Sequence, residues 1–303
     1  MVDRAVVDVS QESVFENLDR IKPMKMKIKI RHIVLLLLLA SLSGAVMTQP
    51  TPKPVNPIVE RPNDPDKFWQ HAKKEVDKSV QEILGQNQAE SLHGIRYSKI
   101  IRGNPGLKEI ALTFDDGPHP QFAIPILKTL KRYNAKATFF VVGEKAEERP
   151  DLIRAEVRDG HQIGNHTYHH VNLTKIPTAY IATEIKACGE VVRSITGRAP
   201  HVFRPPGGDY DGDVASAAQR LGYTIVLWTD DPGDYASPGT AIITNRTLAR
   251  LSNGGILLLH DGVQQTVNIL PALIESLQAR GYKLVTVDQL LAHRTLKAPK
   301  VRS

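Results

Sequence analysis

Cysteine is nearly missing from this sequence: Cys188 stands alone among 303 residues. A disulfide within the chain is therefore excluded, and so is a thiolate metal site of the usual paired spacing. Cys188 falls in a helical pattern, where it reads as a small buried hydrophobe rather than a nucleophile. Long apolar runs are missing too: the run at 33–42 falls short of the about 20 residues that a membrane span needs. No Gly-x-Gly-x-x-Gly follows a strand, which removes the dinucleotide-binding fingerprint, and no solenoid-type repeat recurs along the chain. Lys and Arg exceed Asp and Glu by 39 to 32, a net charge of +7. The basic residues are dispersed except in the tail at 294–302 and no recognition motif accompanies them, so no nucleic-acid partner is expected. With 41% hydrophobic and 23% charged residues the composition is that of an ordinary globular protein.

The amino terminus carries addressing information. Lys25, Lys27, Lys29 and Arg31 precede the apolar run, and Ser43, Gly44 and Ala45 follow it. That is the order of a secretory signal peptide cleaved after Ala45, and it predicts a secreted or cell-envelope protein. Membrane attachment is the alternative, if the segment stays uncleaved as an anchor. A lipoprotein anchor is excluded, since no cysteine stands near the cleavage point. Residues 1–23 mix both charges, unlike the start of a signal peptide, which places the start of translation at Met24 or Met26. Six prolines between Thr48 and Pro65 make 46–65 an extended linker. Phe68, Val76, Val80 and Ile83 then recur at helical spacing and predict a helix over 66–84, capped by Asp66. It is followed by a weakly patterned stretch, so 66–106 reads as a helical N-terminal segment.

Beyond residue 107 the pattern alternates. Short apolar runs at 110–114, 137–142, 161–164, 202–204, 224–228, 255–259 and 282–285 predict strands. Amphipathic stretches at 122–133, 150–159, 179–195, 214–221, 240–252 and 268–279 predict the helices between them. Strands that are apolar throughout belong to a parallel sheet covered on both faces. The fold class is α/β, a distorted, incomplete (β/α) barrel of about seven parallel strands spanning 107–293, with 294–303 a basic tail. An open doubly wound sheet is the competing architecture.

Five segments follow these apolar runs, where α/β proteins collect their functional groups. Asp115 and Asp116 close the first strand before Gly117-Pro118. One carboxylate can hold a metal while the other faces the reacting water, although Asp-Asp-Gly-Pro is equally good turn chemistry. His166 and His170 stand four apart, a spacing that brings two imidazoles to one face of a helical turn, with His161 and His169 as competing donors. With Asp116 they make a His-His-Asp set that leaves positions open for water and substrate. Arg204, Asp234 and His260 complete the inventory of a metal-assisted hydrolase; each alone reads as a surface ion pair or a helix cap.

In order and content these segments resemble the five motifs of the polysaccharide deacetylases, carbohydrate esterase family 4, the NodB-like domain. The resemblance covers about 107–293. It implies Asp115 as catalytic base, Asp116, His166 and His170 as metal ligands, Arg204 as the group that holds the base, Asp234 as the carboxylate that tunes the acid, and His260 as the general acid. Leu258 would line the acetyl pocket. The implied cofactor is one divalent ion, with Zn2+ favoured by the ligand set and Co2+ or Ni2+ fitting the same donors. The implied substrate is an acetylated polysaccharide, from which N-acetyl groups of N-acetylglucosamine would be removed, peptidoglycan or an exopolysaccharide ahead of chitin. Removal of O-acetyl esters from xylan, or a retired carbohydrate-binding role, are the alternatives. Two positions depart from the family. Gly207 stands where a tyrosine is usual, keeping the oxyanion N–H but losing an aromatic wall. Tyr235 replaces a tryptophan that would stack on the sugar.

Overall fold

All seven expected strands form in the structure, a computed structural model that describes residues 76–295. The signal segment, the proline-rich linker, Asp66 and Phe68 of the expected helix, and the end of the basic tail lie outside the described residues. In chain order the elements are α1 (Val80–Leu92), β1 (Lys99–Ile100), β2 (Glu109–Gly117), α2 (Ala123–Arg132), β3 (Thr138–Val141), α3 (Gly143–Glu148), α4 (Pro150–Arg158), β4 (Gln162–Asn165), α5 (Thr178–Thr196), β5 (Val202–Phe203), α6 (Gly212–Arg220), β6 (Thr224–Val226), α7 (Thr240–Arg250), β7 (Gly255–His260), α8 (Gln264–Ala279), β8 (Lys283–Val285) and α9 (Val287–Ala292).

All the pairings are parallel, in the order β1-β6-β5-β4-β3-β2-β7, with β8 alongside the start of β2. The sheet curls until a single bridge, Asp230 to Leu257, joins the chain after β6 to β7. One bridge is a thin closure, so the barrel is distorted and incomplete, as the sequence predicts. Among the described residues no helix is long and apolar enough to cross a membrane.

Side-chain alternation along the central strands sorts residues between two cores. Ile110, Leu112 and Phe114 of β2 and Leu257 and Leu259 of β7 join the core beneath the helices. Ala111 of β2, Phe140 of β3 and Ile256 and Leu258 of β7 belong to the other, inner core. The inner series of β2 continues through Thr113 to Asp115, and that of β7 ends at His260. Asp115 and His260 are register partners across the two strands. Both functional groups therefore sit at the carboxyl end of an inner column whose earlier members are packing residues. Cys188 of α5 is fully buried, donates its thiol to the Val141 carbonyl at 3.3 Å, and is pushed by burial up to about 12.

The helix expected over 66–84 is corrected. It begins at Val80 and runs to Leu92, with Ser79 as its cap in a reciprocal capping box with Glu82. Residues 76–79 are not helical, and Val76, one of the positions at helical spacing, is exposed. Ser79 followed three residues later by Glu82 is the start signal that the chain uses for α1. The weakly patterned stretch that follows supplies β1, which pairs with β6.

One buried group has no compensation. Glu156 of α4 is fully buried and neither carboxyl oxygen has a hydrogen-bond partner. Burial, with Asp261 adding to it, holds this carboxyl well above the usual range. Because the folded chain keeps a proton that the unfolded chain gives up above its ordinary value, stability falls as pH rises from that value upward. Glu156→Gln is expected to stabilise the fold by roughly 1–3 kcal/mol at pH 8. Urea unfolding should show the gain disappearing below the ordinary carboxylate range; a pH-independent gain would contradict this account.

Candidate active site

Asp115 and Asp116 lie at an irregularity in β2, where the register with β3 skips from Asp115 to Gly117. Asp116 takes a positive φ of 69°, a conformation that aspartate tolerates better than most residues. The extra residue lets the carboxylates of neighbours reach the same site although a regular strand would send them to opposite faces. Gly117 follows, and a Cβ there would lie 2.6 Å from Asp261 Oδ2, so only glycine fits.

His166 directly follows β4, and His170 ends the loop beyond it. The helical turn expected from their spacing does not form: residues 167–170 are irregular, and Thr167 and His170 adopt positive φ values of 66° and 55°. The loop nevertheless brings the rings to a centroid separation of 4.9 Å. Asp116 Oδ1 lies 2.9 Å from His170 Nε2 and 3.5 Å from His166 Nε2. The competing histidines are elsewhere. His169 turns to Glu184 of α5 at 2.7 Å, and His161 packs edge-on against Phe139, where burial pulls it down to about 4.

One ligand atom from each of Asp116, His166 and His170 lies within 4.8 Å of the others, a group that could hold one metal ion. The donor chemistry fits such an ion. His166 Nδ1 donates to the Arg204 carbonyl at 2.7 Å, which leaves a lone pair on the Nε2 that faces Asp116. Asp116 Oδ1 is buried and its near neighbours are the two imidazole nitrogens, the arrangement of three donors directed at one cation. Burial pushes the Asp116 carboxyl up, but His170 and His166 outweigh it and hold it well below the usual range.

Asp115 is buried and ion-paired. Its Oδ1 accepts from Arg204 Nη1 at 2.7 Å, while Oδ2 lies 3.8 Å from His166 Nε2. Arg204 is fully buried; it also donates to Thr113 Oγ1 at 2.9 Å and to the Val226 carbonyl at 3.1 Å, and its guanidinium lies 4.2 Å from the Phe140 ring centre. His260 donates from Nδ1 to Asp234 Oδ1 at 2.8 Å, which leaves Nε2 toward the cavity. Asp234 Oδ2 accepts from the His260 backbone N–H at 2.8 Å and from Thr266 Oγ1 at 2.5 Å. Burial would lower the His260 imidazole, but Asp234, helped by Asp116 and Asp77, lifts it well above its ordinary value.

These groups meet at a cavity of about 90 Å³ lined by Asp77, Asp116, His166, His170, Tyr235 and His260. Tyr235 is 42% exposed and stands edge-on to His260 with ring centres 5.4 Å apart. Gly207, at φ 64°, offers its carbonyl to the Lys78 backbone N–H at 3.0 Å. Leu258 is not among the lining residues; it lies one inner position before His260, buried in the inner core. Two site residues carry no signal in the sequence. Thr266 sits in α8 outside any motif, and Asp77 lies in the segment read above as helix interior. Asp77 Oδ2 comes within 3.5 Å of His260 Nε2, and burial lifts its carboxyl to about 7 against the pull of His260.

Comparison with known proteins agrees with this geometry. Residues 102–226 match the polysaccharide deacetylase family model. The peptidoglycan-N-acetylglucosamine deacetylase of Bacillus cereus is 38% identical over 192 residues, 62% of this chain and 90% of that protein. The chitooligosaccharide deacetylase of Bradyrhizobium sp. is 36% identical over 200 residues, 61% of this chain and 91% of that one. Among solved structures, a peptidoglycan N-acetylglucosamine deacetylase in complex with 4-naphthalen-1-yl-N-oxidanyl-benzamide superposes with a TM-score of 0.63 at 34% identity, covering 65% of this chain and 94% of that one. The chain belongs to the polysaccharide deacetylase family. It is a hydrolase of that class, as the five motifs imply.

The pairing of His260 with Asp234 has a direct readout. In metal-free protein the His260 imidazole is expected to titrate above the ordinary histidine value by NMR, and Asp234→Asn should return it toward that value. An unchanged titration in the variant would show that Asp234 does not set the protonation of His260.

Proposed function

We propose that this protein is an exported, metal-dependent hydrolase that removes N-acetyl groups from N-acetylglucosamine-containing polysaccharide. The observation that carries the reading is the convergence, around one small cavity, of the Asp116, His166 and His170 donors with an Arg204-held carboxylate and an Asp234-held imidazole. Export rests on the signal-peptide pattern at 25–45, and the polymer on the resemblance to deacetylases of peptidoglycan and chitooligosaccharides.

A divalent ion held by Asp116, His166 and His170 would polarise the acetyl carbonyl and make a water acidic enough to attack near neutral pH; zinc suits the two imidazoles and one carboxylate, and Co2+ or Ni2+ fit the same donors. Asp115 takes the proton from the attacking water. Its partner Arg204 binds Oδ1 and so fixes the carboxylate with Oδ2 on the side of His166. His260 gives a proton from Nε2 to the departing nitrogen, and Asp234 keeps that proton in place until it is needed. An amine is a poor leaving group unless protonated, so an imidazole held in its acid form favours the amide over the xylan ester. Tyr235, at the exposed rim, offers a ring face to the sugar.

Purified protein is expected to bind one divalent ion per chain and to release acetate from N-acetylglucosamine oligosaccharides, with activity lost on chelation and regained when zinc is added back. His170→Ala should abolish stoichiometric metal binding, read by calorimetry without any activity assay. Asp115→Asn and His260→Ala should each lower kcat by about 10²–10⁴-fold while keeping the metal. Acetate release from acetylated xylan but not from the amide substrate would redirect the reading to an esterase; failure on both with metal bound would overturn it.

A further inference from the structure

Residues 76–79 match no motif, yet Asp77 reaches the catalytic cavity and the two residues after it are tied down. The Lys78 backbone donates to Gly207, its ammonium pairs with Asp209 at 3.0 Å and donates to Gln86 Oε1 at 2.8 Å, and Ser79 begins α1. Helix α1 is itself anchored, with Ile83 in the inner core and Glu90 bonded to Tyr210 Oη at 2.8 Å and to Lys99. Asp77 directly precedes these attachments, its side chain only 14% exposed. Its carboxylate faces the one ring nitrogen of His260 that Asp234 leaves toward the cavity. A cavity of about 90 Å³ remains with Asp77 as one wall, room for several waters, so the residue bounds the site without filling it.

We propose that Asp77 is a substrate-contacting specificity residue, which accepts hydrogen bonds from neutral hydroxyls of the sugar bearing the acetamido group and excludes sugars that carry a carboxylate beside that group. The inference rests on the deacetylase reading for the identity of the sugar. A nitrogen within reach of His260 Nε2 is also close to Asp77, and in a pyranose the substituent on the adjacent carbon is a hydrogen-bonding neighbour of that nitrogen. In N-acetylglucosamine that substituent is a hydroxyl, a donor to Asp77. In N-acetylmuramic acid it is a lactyl ether ending in a second carboxylate. Asp115, Asp116 and Asp231 stand near Asp77 as further negative groups, while His260 and the Arg204 guanidinium act on it as positive ones, and an ion held by Asp116, His166 and His170 would add to them; Asp77 is the carboxylate of this set placed on the wall beside His260. Where Gly207 lacks a side chain, the wall is made instead by a segment that brings charge.

The test compares two probes at pH 8, above the value of about 7 to which burial lifts the Asp77 carboxyl: a neutral N-acetylglucosamine oligosaccharide, and a peptide-free oligosaccharide that alternates it with N-acetylmuramic acid. Binding to metal-free protein is measured by calorimetry, and acetate release from each amino sugar with the zinc-loaded enzyme. Wild-type protein is expected to favour N-acetylglucosamine at the reacting position by about ten- to a hundredfold, mainly in KM. Asp77→Asn should shrink that preference about tenfold, and high salt should shrink it in the wild type but not in the variant. An unchanged preference in Asp77→Asn would overturn the proposal, as would an equal gain on both sugars, which would make the segment a mere obstruction. Discrimination in binding without acetate release would instead defeat the deacetylase reading and leave the role of Asp77 standing.

Discussion

A guanidinium sealed inside the barrel holds the site together. Arg204 has no exposed surface, and a buried charge is tolerated only when partners offset the loss of water; Nε and Nη1 are bonded, while Nη2 is buried without a hydrogen-bond partner. Its side chain meets Asp115, Thr113 and the Val226 carbonyl, which ties β2 to the strands on the far side of the curled sheet. The Phe140 and Trp228 rings close over it. Its own carbonyl does a second job by taking the His166 Nδ1 proton. One residue therefore orients a carboxylate through its side chain and an imidazole through its main chain. Any shift of the 204 region would disturb both together.

Much of this was legible in the sequence, for identifiable reasons. Strands buried on both faces announce themselves as short apolar runs, so β2 to β8 lie where the pattern places them, as do the helices between them except α3, which no periodicity announced, and the first turn of α8. Asp115, Asp116, Arg204 and His260 end or follow such runs, and topology then collects them at one end of the barrel. The separation of His166 and His170 was informative but its geometric explanation was not. Four residues fit a helical turn, whereas the chain uses two left-handed residues to converge the rings. Nothing local distinguished His169 from His170 either, since what removes His169 is Glu184, fifteen residues away on α5.

Other features depend on long-range placement and left no local trace. Asp77 reads as one more polar residue on an amphipathic stretch until Ser79 and Glu82 reset the start of α1. Thr266 becomes part of the site because α8 carries it to Asp234. Leu258 shows the converse: alternation along β7 places it two residues before His260, deeper in the same inner column, among packing residues. The Gly207 substitution and the course of 76–79 also belong together, because the carbonyl of that glycine is the point at which the segment attaches.

The isolation of Cys188 has a practical side. With its thiol buried, bonded to Val141 and pushed far above the range in which thiolates form, the natural protein presents nothing to a maleimide or iodoacetamide reagent. A single cysteine introduced at exposed Val76, next to Asp77, would therefore take up a fluorophore or spin label alone. The position of the cavity wall during polysaccharide binding could then be followed optically or magnetically, without first having to remove any native thiol.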